Sequence, residues 1–202
     1  MNADGSGEIQ LPTYGRHATW SPDGSKIAFI GGGISVIDAD GTNKTLVTNV
    51  QDICVNSGNC DIWEPEWSPD GSKITFRSAF EGNSEIYVVN PDGTALTRLT
   101  NNSATDISPT WSPDSSQIAF MSSRDGGEEI YVMNSDGSSQ TRLTDGSGLG
   151  YSRLAWSPDG SKIGFQSNRE GDWEIFTMNA DGTSQLNISS NSAWDGQLDW
   201  GP

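Results

Sequence analysis

The chain has 202 residues, with 27 Asp and Glu against 11 Lys and Arg. The resulting charge of −16 repels phosphate backbones and argues against nucleic acid as a partner. Only 33% of residues are hydrophobic, while 24 are Gly, 9 Pro and 8 Trp, a balance that favours short strands and tight turns over long helices; no apolar run reaches the ~18–20 residues of a membrane helix, and the first residues do not resemble a signal peptide.

In chain order, Met1-Asn2-Ala3-Asp4-Gly5 matches Met178-Asn179-Ala180-Asp181-Gly182, so the sequence opens at the end of one repeat unit. WSPDGSKIAF begins at Trp20, WSPDGSKITF at Trp67, WSPDSSQIAF at Trp111 and WSPDGSKIGF at Trp156, and Trp200 opens a fifth copy. These tryptophans are spaced by 47, 44, 45 and 44 residues, room for about four short strands with their turns. The first strand ends at the Trp. The second is typified by Lys73-Ile74-Thr75-Phe76, whose Ile and Phe share one face. The third is Glu85 to Val89, echoed by Glu129 to Met133 and Glu174 to Met178; the fourth is Thr97 to Thr100, echoed by Thr141 to Thr144 and Leu186 to Ser189. SPDG joins strands one and two, and NPDG, NSDG or NADG joins three and four, with Gly available for a positive φ. Ser115 stands in place of that glycine in the third copy, so its turn is expected to be strained or of another type.

A four-stranded unit of this size cannot bury both faces alone, and stacking such units around an axis gives an all-β propeller. The reading is a single propeller: residues 1–19 end a preceding blade, 20–63, 64–107, 108–152 and 153–195 are four full blades, and 196–202 start the next. Trp20, Trp67, Trp111, Trp156 and Trp200 are then packing residues between blades. The termini supply a fourth strand around Glu8 to Leu11 and a first strand around Gln197 to Trp200. Closing a fifth blade between them lacks two strands, and open edges of this kind invite self-association.

The repeated WSPDGSKIAF, EIYVMN-x-DG and TRLT motifs resemble the TolB-type β-propeller repeat over nearly the whole chain. The resemblance implies a fold, and it implies several activities: TolB itself, the periplasmic component of the Tol-Pal envelope system; propellers attached to prolyl-oligopeptidase-like and tricorn-like peptidases; and other exported proteins.

Alternating strand directions place the SPDG and NxDG turns on one rim and the remaining connections on the other. That second rim holds the aromatics outside the repeat pattern, Tyr14, Trp63, Phe80, Tyr151, Trp173 and Trp194. They are the candidate binding residues, with packing over blade ends as the alternative. The same rim is acidic. Calcium, which takes oxygen ligands, is a candidate ion at Glu85, Glu129, Glu174 and Asp106, although Gly33 occupies the glutamate position of the first blade. A solvated acidic surface is the alternative, and no cofactor is required. Cys54 and Cys60 bracket a Gly/Asn-rich segment whose spacing suits a disulfide-closed loop better than a zinc knuckle, with two free thiols as the other reading. A disulfide implies an oxidising compartment, periplasmic or extracellular. With one histidine, His17, in the chain, a His-based nucleophile relay has little to draw on, and no catalytic residue is assigned. The expected function is a non-catalytic exported scaffold. It binds a protein through the acidic, aromatic rim or assembles through its unfinished ends. The propeller of a larger hydrolase, or carbohydrate recognition through Trp63, Trp173 and Trp194, are the alternatives.

Overall fold

The computed structural model describes residues 16–49, 62–80, 82–146, 150–189 and 200. They form four antiparallel sheets, each a simple meander of four strands. The first comprises β1 (Arg16–Trp20), β2 (Lys26–Ile30), β3 (Gly33–Asp38) and β4 (Thr45–Asn49). The second comprises β5 (Ile62–Trp67), β6 (Ile74–Ser78), β7 (Glu85–Val89) and β8 (Thr97–Arg98). The third comprises β9 (Asp106–Trp111), β10 (Gln117–Ser122), β11 (Glu129–Asn134) and β12 (Thr141–Arg142), and the fourth β13 (Tyr151–Trp156), β14 (Lys162–Ser167), β15 (Glu174–Asn179) and β16 (Leu186–Asn187). The strand ending at each Trp pairs with the strand after the SPDG turn, so each sheet begins a few residues before its tryptophan. Among the described residues there is no helix long and apolar enough to cross a membrane.

The SPDGS sequence builds its turn chemically. Asp23 accepts from the Ser21 hydroxyl at 2.6 Å and from the Ser25 N–H at 3.0 Å, while the Ser21 hydroxyl accepts the Lys26 N–H at 2.9 Å. The same bonds recur at Asp70, Asp114 and Asp159. These donors favour the carboxylate, the turn serine hydroxyl most of all, and hold Asp23 and Asp159 down to about 2. Ser115 keeps the turn type of its glycine counterparts, with φ of 61° against 69–71° at Gly24, Gly71 and Gly160. Its hydroxyl also accepts the Asp70 N–H of the neighbouring blade at 3.0 Å.

Packing lies between sheets. Ile74, Phe76 and Trp67 face Ile34, Val36 and Val47 of the first sheet; Trp111, Ile118 and Phe120 face Ile86, Val88 and Leu99; Trp156, Ile163 and Phe165 face Ile130, Val132 and Leu143. Trp67, Trp111 and Trp156 are 6%, 4% and 8% exposed, whereas Trp20 is 56% exposed. Indole donors reach back to the preceding blade: Trp111 Nε1 to Thr75 Oγ1 at 3.1 Å, Trp156 Nε1 to Thr110 O at 3.2 Å and Trp200 Nε1 to Ala155 O at 3.0 Å. Trp67 Nε1 is buried without such a partner. The outer parts of the seams close on glycine. A Cβ at Gly137 would lie 2.9 Å from Leu99 O, and one at Gly182 2.7 Å from Leu143 O.

The first strands β1, β5, β9 and β13 neighbour one another in turn and so line the common axis. Each carries an irregularity three residues before its Trp, where His17, Glu64, Ser108 and Arg153 take positive φ of 48–57° and the register with the second strand slips. An extra residue in one strand of a pair re-aims side chains. It does so here at the axial wall of every blade.

Candidate functional site: the axial wall around Trp63

The slip in β5 decides what meets Trp63. Trp67 pairs with Ile74 and Glu66 with Thr75, and an unbroken register would set Trp63 against Ser78; instead Trp63 stands opposite Arg77. The Arg77 guanidinium carbon lies over the Trp63 ring at 5.6 Å and that of Arg16, from β1 of the first blade, at 4.4 Å. His17 meets the same indole edge-on, centroids 5.2 Å apart. Glu64 completes the group. Its Oε2 lies 3.3 Å from Arg77 Nε and accepts the Ser108 N–H of the next inner strand at 3.0 Å. The Arg77 contact falls short of hydrogen-bond geometry, so among the described residues the buried Nε–H has no acceptor.

Glu66, two residues on, bonds the same seam. It accepts the Trp111 N–H at 3.2 Å and the Thr110 hydroxyl at 3.1 Å. Burial pushes its carboxyl up to about 7, against the pull of those two donors and with a small push from Glu64. A half-protonated carboxyl near neutral pH therefore ties blade two to blade three beside the Trp63 cluster.

The other expected site residues lie elsewhere. Tyr14, Trp194, Cys54 and Cys60 fall outside the described residues. Tyr151 is buried, its hydroxyl accepting from Arg169 at 3.2 Å. Phe80 packs on Tyr87 at 4.6 Å between centroids. Trp173 is half-buried with its Cη2 against Gly150. The four carboxylates proposed for calcium are buried within the blades. Glu129 takes the Thr144 hydroxyl at 2.5 Å and the Gly146 N–H at 2.9 Å; Glu174 takes the Ser189 hydroxyl; Glu85 takes Arg98 at 2.8 Å and the Asn102 N–H at 3.1 Å; Asp106 takes Arg124 at 2.9 Å and Asn102 Nδ2 at 2.7 Å. Burial raises the Glu85 carboxyl, offset by the Thr100 hydroxyl and the Asn102 and Asn83 donors. Among the described residues no group of three or more His, Cys, Asp or Glu is placed to hold a metal ion.

Sequence reading singles out Trp63 but not Arg16, Arg77 or Glu66. The signal for Arg77 was one register step away, and the bulge that supplies the step has no shared residue type, since His, Glu, Ser and Arg occupy it.

Comparison with curated proteins gave no match. Among solved structures the chain is similar to a protein assigned as TolB from Agrobacterium tumefaciens, 27% identical with a TM-score of 0.70 over 93% of this chain and 66% of that one. It is similar to TolB from Acinetobacter baumannii at 26% identity and TM-score 0.69, over 90% of this chain and 45% of that one. A puromycin hydrolase shares the fold at 15% identity and TM-score 0.70, over 89% of this chain and 33% of that one. The chain thus spans less than two thirds of these proteins. A family model described as the TolB beta propeller domain matches residues 16–152, more than half of a sequence whose blades, turns and seams have the repeat geometry set out above, and the chain belongs to that family.

Proposed function

We propose that this propeller is a non-catalytic, exported binding scaffold that engages a protein partner at the axial Trp63 cluster, in the periplasm or outside the cell. The observation that carries this reading is the convergence on one half-buried indole of Arg16, His17 and Arg77 from two blades. Trp and Arg held in fixed positions are the residues that dominate binding energy at protein interfaces. The chain's only imidazole is engaged on the Trp63 edge, which favours binding over a His-activated nucleophile. Two guanidinium groups already lie over the Trp63 ring, where a sugar would stack, which favours a protein partner over a carbohydrate. Similarity to TolB supports export.

The test is a photo-crosslinking side chain placed at Arg153, on the axial wall, and at Pro22, on the turn rim, in cells of the source organism. A discrete protein adduct from position 153 that disappears with Trp63→Ala, and none from position 22, is expected. Equal adducts from both positions, or turnover of puromycin by the isolated chain, would overturn the reading in favour of a different face or of a hydrolase propeller.

A second reading, self-association through the exposed faces of the first and fourth sheets, has one specific observation in its favour. Trp20 and Ile188 are 56% and 54% exposed, while their repeat counterparts Trp111 and Leu99 pack together in a seam. Trp200 competes with it, because it already takes the Ala155 carbonyl.

A further inference from the structure

We propose that Arg16, Trp63 and Arg77 form a carboxylate-recognition site that receives an acidic side chain from an otherwise basic peptide segment of the partner. This deepens the binding reading and rests on it.

The local charge runs against that of the molecule. In a chain of net charge −16, two guanidinium groups share one indole with, among the described residues, a single carboxylate in contact, Glu64, whose Oε2 is divided between Arg77 and the Ser108 N–H. Three other arginines pair with carboxylates within their blades, Arg98 with Glu85, Arg124 with Asp106, and Arg142 with Asp125 and Asp145, while Arg169 bonds Gln185 and the Tyr151 hydroxyl. Among the described residues Arg16 has no carboxylate partner, and its guanidinium lies over the Trp63 face. The Arg77 Nε–H is buried and lacks an acceptor among the described residues. A guanidinium backed by an aromatic ring keeps its N–H edge free and is pre-organised for the two parallel bonds that a planar carboxylate accepts. The protein's field repels polyanions and attracts cations. A lone acidic anchor within a basic segment satisfies both the site and the field.

The experiment uses the full chain, following the indole N–H resonance of Trp63, assigned with Trp63→Phe, during NMR titration in ~0.15 M salt. The probes are blocked Lys-Gly-Asp-Gly-Lys and Lys-Gly-Asn-Gly-Lys peptides. The Asp peptide is expected to bind about tenfold more tightly than its Asn analogue, the scale of a charge-assisted pair. Arg16→Gln, an exposed position that leaves the rest of the spectrum in place, is expected to bring that ratio to about one, and Arg77→Lys to lower it partially. Equal binding of the two peptides, an unchanged ratio in Arg16→Gln, or tighter binding of galacturonate or inorganic phosphate than of the Asp peptide overturns the assignment. Position-153 adducts that survive Arg16→Gln leave the partner reading standing and remove the carboxylate one; Asp selectivity without any adduct does the reverse.

Discussion

At the scale of single residues, two side chains carry opposed costs that solution measurements separate. Ser115 holds a positive φ of 61°, a strain of about 1 kcal/mol for a residue with a Cβ, and returns a hydrogen bond to Asp70 N worth about 1 kcal/mol. Ser115→Gly is therefore expected to stay within about 1 kcal/mol of the parent in urea denaturation, whereas Ser115→Ala keeps the strain, loses the bond and falls by about 1 kcal/mol or more. An alanine variant as stable as the parent would show that the Asp70 bond contributes nothing. Glu66 is the second case. Its carboxyl is raised to about 7 in the fold, so the protonated form is preferred there. Its contribution is most favourable below its unfolded value near 4.5 and is lost as pH rises through about 7, by at most ~3 kcal/mol before solvent screening. The turn aspartates, held low by their serine or threonine hydroxyls and N–H donors, act in the other direction and lose stability as pH falls below about 4. Stability should peak between these limits, near pH 4–5. In Glu66→Gln, which keeps an acceptor for Trp111 N–H, the decline from pH 5 to 8 should flatten; an unchanged slope in the midpoint-against-pH plot would place the titrating group elsewhere.

Among the elements, the third and fourth strands are joined by a hydroxyl that works in both directions. Thr144 accepts the Ile130 N–H at 2.9 Å and donates to Glu129 at 2.5 Å; Ser189 repeats this with Ile175 and Glu174, and Thr48 and Thr100 accept Ile34 and Ile86 N–H at 3.0 and 2.9 Å. The second Thr of TRLT and the Glu of EIYVMN are thus one device, fifteen residues apart, that covers a buried carboxylate. Thr144→Val leaves two buried polar groups short of a partner and should cost ~2–4 kcal/mol, while Thr144→Ser stays within about 1 kcal/mol; thermal unfolding of the pair checks it, and equal losses would point to packing of the methyl group. Strand positions, turns and inter-blade packing at Trp67, Trp111 and Trp156 were legible because period-two alternation and SPDG chemistry are local signals. The partners of Glu85, Glu129 and Glu174 were not, since a carboxylate at a repeat position looks the same whether it faces solvent or a hydroxyl across the sheet. The inner-strand bulges were hidden for a related reason. No glycine or asparagine marks His17, Glu64, Ser108 and Arg153, and the positive φ there accompanies the register slip of the strand pair.

For the molecule as a whole, charge and seam geometry oppose each other at the exposed faces of the first and fourth sheets. The repeated seam seats a tryptophan against the isoleucine, valine and leucine of the preceding blade, and burying an indole with its neighbours contributes a few kcal/mol. Trp20 and Ile188 are the exposed halves of that seam. Copies of net charge −16 repel at low ionic strength, where screening reaches ~30 Å, far more than at 1 M salt, where it reaches ~3 Å. Any association through Trp20 should therefore be weak in dilute buffer, strengthen with salt and strengthen again as pH falls toward the sequence pI of about 4.1. Trp200 sets a further condition. Its Nε1 occupies Ala155 O, the acceptor that an incoming Trp20 would use by analogy with Trp156 and Thr110, so Trp200→Ala should increase association and Trp20→Ser abolish it. Sedimentation velocity across a salt series reads both effects. A monomer at every salt concentration in the parent and in Trp200→Ala would remove self-association and leave the axial wall as the proposed binding surface. Association that weakens with salt would instead trace the contact to opposite charges, with Arg16 and Arg153 on the axial wall as the cations to mutate first.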